Sequence, residues 1–495
     1  MNRDIVLALD QGTTGTTALL VDSCGRVLSR AYSEFRQRYP RPGWVEHDAL
    51  EIWEVSRSVV REVLGQVGGV ERVAAVGLTN QRETAVLWEA ATGVPVHNAI
   101  VWQCRRTAER CEQLRAAGHA EEIRQRTGLT VDPYFSGTKL EWLLDNVPGA
   151  RERAKAGELR FGTIDAWLLW KLTDGAVHAT DFTNASRTML LNLHACAWDD
   201  WCLDLLNVPR CLLPNATPSI ADFGTVSAIP ELKGVPIAGI AGDQQAALFG
   251  QACFAPGTAK NTYGTGCFAL MHTGEQPADS RHGLLTTMAC SAEGSPAYAL
   301  EGSVFVAGAA VQWLRDELGI IKDAAETEGL ARSVPDSGGV VFVPAFVGLG
   351  APHWDAEARG CLFGLTRGTN RAHLARATLE SLALQTLDVI DAMQADTGQR
   401  IGQLLVDGGA SANNFLMQLQ ADVLGVPVVR PQSVETTAMG AAFLAGLGVG
   451  LWKDAAQLAE LRAVDRVFRP QMADESRAAL VAQWREAVER TKSGG

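Results

Sequence analysis

No Gly-Lys pair occurs anywhere in this 495-residue chain, so a phosphate loop ending in Gly-Lys-Ser/Thr before a helix is excluded. His-Glu-x-x-His and Gly-x-Ser-x-Gly are also missing, which removes the zinc-protease and nucleophile-elbow patterns. The ten cysteines include no Cys-x-x-Cys; their scatter fits neither a zinc framework nor a small disulfide scaffold, and reduced thiols in the cytosol are the expectation. No apolar run approaches the roughly 20 residues of a membrane-spanning helix. Met1-Asn2-Arg3-Asp4 leads straight into the first apolar segment, without signal-peptide architecture. The expected location is therefore cytoplasmic, and the sequons at Asn184 and Asn215 carry no meaning. A net charge of −12, with no basic aromatic platform, argues against nucleic acid and anionic membranes as partners. It leaves room for a nucleotide, because a local nest of N–H groups binds phosphate inside an acidic protein.

What is present is globular: 47% of residues are apolar and 20% charged. The chain is too long for one core, so two domains of about 200 to 250 residues are expected. Strand-like runs alternate with amphipathic helical ones, the pattern of an α/β protein. The spacing predicts helices at 49–64, 139–144, 164–172, 306–318, 373–393 and 412–424, and a strand at 73–79. Ala255-Pro256-Gly257 breaks the chain after Gly250, which places the domains at 1–250 and 251–495. Strand-to-turn motifs recur in both halves, hinting at duplication with a ligand held between two lobes.

The richest segment is Ile5 to Asp22: an apolar run ending in Asp10, the turn Gln11-Gly12-Thr13-Thr14-Gly15, then a second apolar run. This reads as a β-hairpin presenting N–H and hydroxyl donors beside one acid. It suits a Mg-nucleotide, phosphates in the nest and Mg²⁺ on Asp10; an ordinary hairpin using glycine for φ > 0 is the bland alternative. Asn261-Thr-Tyr-Gly264-Thr265-Gly266 and Asp407-Gly408-Gly409 are further phosphate-type turns. Gly264 to Ala269 loosely matches a dinucleotide fingerprint, but an extended segment follows where that fingerprint needs a helix. Gly242-Asp243-Gln244-Gln245 joins a strand to a helix. Asp243 is either an N-cap or, beside two glutamines at a strand end, the acceptor of a proton from an attacking hydroxyl. Arg82-Glu83 is either a solvated pair or, in a cleft, a donor and an acceptor that orient a small polyol. Tyr134 either hydrogen-bonds or packs.

Taken together, Asp10-Gln-Gly-Thr-Thr, Asn80-Gln-Arg-Glu-Thr84, Trp102-Gln-Cys-Arg-Arg-Thr107, Gly242-Asp-Gln-Gln-Ala-Ala-Leu-Phe-Gly250, Tyr263-Gly-Thr-Gly266 and Asp407-Gly-Gly-Ala-Ser-Ala-Asn-Asn-Phe415 resemble the FGGY carbohydrate kinases, in order and over nearly the whole chain. The resemblance implies a two-lobed, actin-like and ribonuclease H-like α/β fold with an inter-domain cleft. It implies ATP-dependent phosphorylation of glycerol to sn-glycerol 3-phosphate, with ATP and Mg²⁺. Carried over residue by residue, Arg82, Glu83, Tyr134, Asp243 and Gln244 hold glycerol, with Trp102 and Phe268 on its carbon skeleton. Thr13, Thr14, Gly15, Thr17, Thr265, Gly308, Gln312, Gly409 and Asn413 hold the nucleotide. Asp10 and Asp243 position the metal, and Asp243 is the general base. By analogy alone, a homodimer or homotetramer follows. Kinases of other sugars or polyols, and an actin-like ATP-driven scaffold, are the competing expectations.

Two departures from the family pattern stand out. Where many relatives read Thr-Thr-Ser-Ser-Arg, this chain has Thr13-Thr14-Gly15-Thr16-Thr17, removing a hydroxyl at 15 and an arginine at 17. The segment Ile229-Pro-Glu-Leu-Lys-Gly-Val235 lacks the glycine- and arginine-rich loop that binds fructose 1,6-bisphosphate in some relatives, and the histidine phosphorylated in others. Neither regulator is expected to act there.

Overall fold

The computed structural model describes residues 3–67 and 70–493; Met1 and Asn2, part of the N-terminal reading above, lie outside them. Ile5–Gln11 (β1) and Gly15–Asp22 (β2) form the expected antiparallel hairpin, Asp10 opposite Thr17. Val27–Glu34 (β3) pairs antiparallel with β2, and Val73–Asn80 (β4) and Ile237–Gly242 (β5) extend the sheet in parallel beyond β1. The order is β5-β4-β1-β2-β3. β2, β4 and β5 are buried along their whole length, which is why they read as continuous apolar runs rather than alternating ones.

The second sheet repeats the plan. Ala259–Tyr263 (β6), Cys267–Gly274 (β7), Leu285–Ala289 (β8), Ala297–Val304 (β9), Leu404–Asp407 (β10), Val428–Pro431 (β11) and Val464–Phe468 (β12) lie in the order β8-β9-β7-β6-β10-β11-β12. Three antiparallel strands, β6, β7 and β9, are followed by two parallel ones, β10 and β11, as β1, β2 and β3 are by β4 and β5. The fold is thus a two-lobed α/β structure of the ribonuclease H-like, actin-like kind.

The predicted helices appear as Ala49–Gln66 (α1), Ser136–Asn146, Ile164–Leu172, Gly308–Asp316, Arg371–Thr397 and Asn414–Leu424. The last begins two residues later than its periodicity suggests, because Asn413 caps it and Gly409–Ala412 forms a 3-10 turn. α1 covers one face of the first sheet with Ile52, Trp53, Val59, Val60 and Val63. The other face is covered from the far end of the chain: helix Thr436–Gly448 sets Ala438, Ala441, Ala442 and Ala445 against Val6, Ala8, Leu19 and Val21. Small residues permit this approach. A Cβ on Gly77 would lie 2.1 Å from the Ala441 carbonyl oxygen, and one on Gly440 1.9 Å from that of Ala246, closer than any side chain tolerates.

Candidate active site

The C-terminal ends of β1, β4 and β5 lie side by side, and β6 and β7 reach them through Lys260 on Gln244 and Phe268 against Trp102. In the first hairpin the carbonyl oxygens are tied back. The Gly12 N–H donates to Gly15 O (2.9 Å), Gln37 Nε2 to Thr13 O (2.9 Å), and Gln81 Nε2 to Gly12 O (3.2 Å). Buried His47 bridges the two supporting amides, 2.6 Å from Gln37 Oε1 and 3.4 Å from Gln81 Nε2. Among the described residues no protein acceptor takes the N–H of Thr13 or Thr14, and Thr14 is exposed. That is the donor surface of an anion nest.

Arg82 and Glu83 are not a solvated pair: both are buried, and they stand 3.8 Å apart with other principal partners. Arg82 donates through both terminal nitrogens to Glu301 (2.6 and 3.0 Å) and to Gln245 Oε1 (3.0 Å). Glu83 Oε1 accepts from Arg187 Nε at 2.6 Å, and Arg187 Nη2 reaches Glu301 at 3.0 Å. Glu83 sits at φ 60, a conformation uncommon for a side-chain-bearing residue; Arg187 and the Ser136 hydroxyl on its carbonyl (3.0 Å) hold it there. Burial alone would raise the carboxyl of Glu301, but Arg187 and Arg82 together bring it down to about 2. For Glu83 burial wins against the same two cations, and its carboxyl is raised.

Asp243 is the first residue of helix Asp243–Gly250, and the cap position belongs to Gly242. Its carboxylate accepts the Gln244 N–H at 2.7 Å, faces Arg82 Nε at 3.2 Å and keeps 28% of its surface open to the cleft. Gly242 is required beside it, since a Cβ there would lie 2.7 Å from Arg82 Cγ and Cδ. Burial raises the Asp243 carboxyl above its ordinary value despite the Arg82 cation, a shift that favours accepting a proton.

An aromatic wall stands with this charged group. Trp102 packs edge-on to Tyr134 (5.5 Å) and Phe268 (6.4 Å), and its Nε1 donates to Thr13 Oγ1 at 3.0 Å, linking the wall to the hairpin. Buried Lys139 holds the Tyr134 and Phe135 carbonyls, so Tyr134 is both packed and anchored. Lys260 Nζ donates to Gln244 Oε1 at 2.5 Å, which turns the amide NH₂ of Gln244 outward as a free donor.

On the second lobe, Thr265 and Gly308 come together: Gly308 N donates to Gly264 O (3.0 Å), Ala307 N and Ala309 N donate to Thr265 O, and a Cβ on Gly308 would lie 2.6 Å from Gly264 O. Gln312, one turn into that helix, is exposed, as are Thr265 and Gly409. The side chain of Asn413 is occupied locally, accepting from Leu416 N and donating to Thr327. Thr17 is buried between Asp10 and Tyr32 on the neighbouring strands, and Gly15 lies under the Tyr32 ring. Burial, then the charges of Asp243 and Glu435, push the Asp10 carboxyl up to about 8. Asp243, itself raised by burial, makes ionisation of Asp10 costlier, an arrangement that suits a hard divalent cation. No cluster of three His, Cys, Asp or Glu among the described residues could hold an ion by itself, and Mg²⁺ is commonly held by one or two carboxylates with phosphate oxygens and water completing the shell.

Glu301, Arg187 and Lys260 are the site residues that sequence reasoning missed; Gln245, read beside Asp243 as favouring substrate contact, accepts from Arg82 instead. Glu301 had a readable signal, a lone carboxylate within the otherwise uncharged run Ala297–Val304; Arg187, before Thr-Met-Leu-Leu, had a weaker one.

Comparison with known proteins agrees with this geometry. Residues 5–250 match the N-terminal domain, and residues 259–449 the C-terminal domain, of the FGGY family of carbohydrate kinases. The chain is 60% identical over 493 residues to a glycerol kinase of Symbiobacterium thermophilum, covering 99% of each protein. It is 59% identical over 489 residues to glycerol kinase 2 of Thermotoga maritima, covering 98% of each. Among solved structures it is similar to a Plasmodium falciparum glycerol kinase with ADP, at TM-score 0.92 and 35% identity over 99% of this chain and 98% of that one.

Proposed function

The chain belongs to the FGGY family of carbohydrate kinases, and from that membership we propose that it transfers the γ-phosphoryl group of ATP to glycerol, releasing sn-glycerol 3-phosphate and ADP. One observation carries the reading: the Trp102 indole, part of the wall against which a short carbon chain would pack, is hydrogen-bonded to Thr13 of the phosphate hairpin. The acceptor pocket and the phosphate nest are thus adjoining parts of one site.

Glycerol lies with its hydroxyls between Arg82, Glu83, Tyr134 and the Gln244 amide, and its carbons against Trp102 and Phe268. Asp243 accepts the proton of the terminal hydroxyl as that oxygen bonds to the γ-phosphorus and the bond to the β-phosphate oxygen breaks. The N–H groups of Thr13, Thr14 and Gly15 receive phosphate oxygens, Thr17 supports them, and Thr265, Gly308, Gln312, Gly409 and Asn413 shape the nucleotide site. Asp10 and Asp243 hold Mg²⁺, which supplies charge neutralisation on the phosphates when bound. Little covalent work falls to the protein, whose contribution is alignment and exclusion of water. Residues 1–250 carry the hairpin phosphate contacts and the glycerol contacts other than Phe268, and residues 251–495 supply Phe268 and the remaining nucleotide contacts. No helix among the described residues is long and apolar enough to cross a membrane, and a cytosolic homodimer or homotetramer is part of the same proposal.

The deciding experiment is a coupled ADP-release assay of the purified protein with Mg-ATP and glycerol, run beside xylulose, erythritol and no acceptor. Glycerol is expected to give the highest kcat/KM. A higher value for a longer polyol would move the assignment within the family, and acceptor-independent turnover with nucleotide-dependent polymerisation would replace it with a scaffold.

A further inference from the structure

The phosphate hairpin is short of strong donors: from Asp10 to Asp22 it contains neither lysine nor arginine, and residue 15 has no side chain. A donor stands on the adjacent strand. Thr17 stands opposite Asp10 on β1 and opposite Tyr32 on β3, so the three side chains form one row on one face of the sheet, each strand about 4.8 Å from the next. Arg30, two residues before Tyr32, shares that face. The Tyr32 ring leans along its strand onto Gly15. A Cβ at residue 15 would lie 2.6 Å from both the ring's Cε2 and its hydroxyl oxygen and 2.7 Å from the Ser33 carbonyl oxygen, so the phenol and the neighbouring backbone fill the space a side chain at 15 would use.

Tyr32 is no buried packing residue. It is 43% exposed, and its hydroxyl has no protein partner among the described residues. Arg30 lies over its ring at 5.8 Å and is itself held by Glu435, 2.7 Å away and one residue before helix Thr436–Gly448. A phenol laid across a glycine, its hydroxyl free and a guanidinium behind it, is built to meet an anion.

We propose that Tyr32 donates its hydroxyl hydrogen to a phosphate oxygen of the bound nucleotide, in place of a side chain at residue 15, with Arg30, ion-paired to Glu435, lying over the ring. This rests on the reading that the nucleotide's phosphates lie at Thr13 and Thr14.

Tyr32→Phe keeps the ring and removes the donor. A hydrogen bond to a charged group corresponds to roughly tenfold or more in affinity, so ADP binding by titration calorimetry and KM for ATP are each expected to weaken about tenfold, with KM for glycerol within about twofold. Unchanged ADP affinity would overturn the proposal. Gly15→Ser is expected to bind ADP poorly, because its side chain meets both the ring and the Ser33 carbonyl oxygen. ADP calorimetry needs no acceptor. A protein that binds ADP but leaves glycerol untouched sinks the proposed function while still testing Tyr32, and a protein that binds no ADP sinks both.

Discussion

Replacing Glu301 by glutamine removes one negative charge from a group of fully buried ions without changing its shape. Its carboxylate serves two guanidinium groups, bidentate on Arg82 and single on Arg187. Two routes give the size of the effect. Lowering a buried carboxyl from its ordinary 4.5 to about 2 corresponds to about 3 kcal/mol of preferential stabilisation of the ionised form. Breaking a buried pair by removing one partner costs about 3 to 5 kcal/mol. Glutamine still accepts hydrogen bonds, so about 3 kcal/mol of lost stability is expected, a large share of the roughly 5 to 15 kcal/mol that holds a typical protein folded. The functional consequence is directional. Relieved of Glu301, Arg82 has Asp243 as its nearest carboxylate, 3.2 Å from Nε, and a guanidinium paired with the base weakens it. The expected result for Glu301→Gln is a lower midpoint in thermal melts, kcat down by roughly tenfold to a hundredfold and KM for glycerol raised, with ADP affinity near that of the unmodified protein because no nucleotide contact is touched. Glycerol kinetics within twofold of the parent, in a variant shown to be folded, would refute the claim that Glu301 sets the position of Arg82. The same linkage has a pH sign. The folded-state carboxyl lies below its unfolded value, so its contribution is present above about pH 4.5 and is lost as pH falls through about 2.

Asp243→Asn is expected to lower kcat by roughly a hundredfold to ten-thousandfold with ADP binding still measurable by calorimetry; near-normal turnover would remove it as the base. Arg82→Ala should raise KM for glycerol far more than KM for ATP, because it leaves Glu301 and Glu83 short of a partner; a change confined to ATP would contradict its placement. Burial pushes His47 down from 6.5 to about 4. Its unfolded form therefore takes up a proton first, and stability is present above about pH 6.5 and falls by about 3 kcal/mol on the way to pH 4. His47→Gln is expected to flatten that part of the denaturant midpoint against pH. Fructose 1,6-bisphosphate at millimolar concentration is expected to leave initial rates unchanged, since Ile229–Val235 forms only a single 3-10 turn, Pro230–Leu232, with no arginine.

Local order in this chain was legible where one physical rule acts over a few neighbouring residues. The hairpin at Gly12 to Gly15, the strand-turn-helix at Asp243 and helices such as Ala49–Gln66 follow from apolar period, turn chemistry and capping, all short-range. Which reading of an ambiguous residue applied was a tertiary matter. Arg82 and Glu83 are neighbours in sequence, yet their main partners, Glu301 and Arg187, lie more than a hundred residues away; charge pairing across such a separation leaves no periodic trace. The cover on the first sheet is likewise supplied by helix Thr436–Gly448, whose alanines and glycines carry no label of the surface they meet. Sequence alone settled the elements and the chemistry available at their ends. The folded chain decided which charges face one another, because burial makes pairing energetically decisive only after distant strands have been brought together.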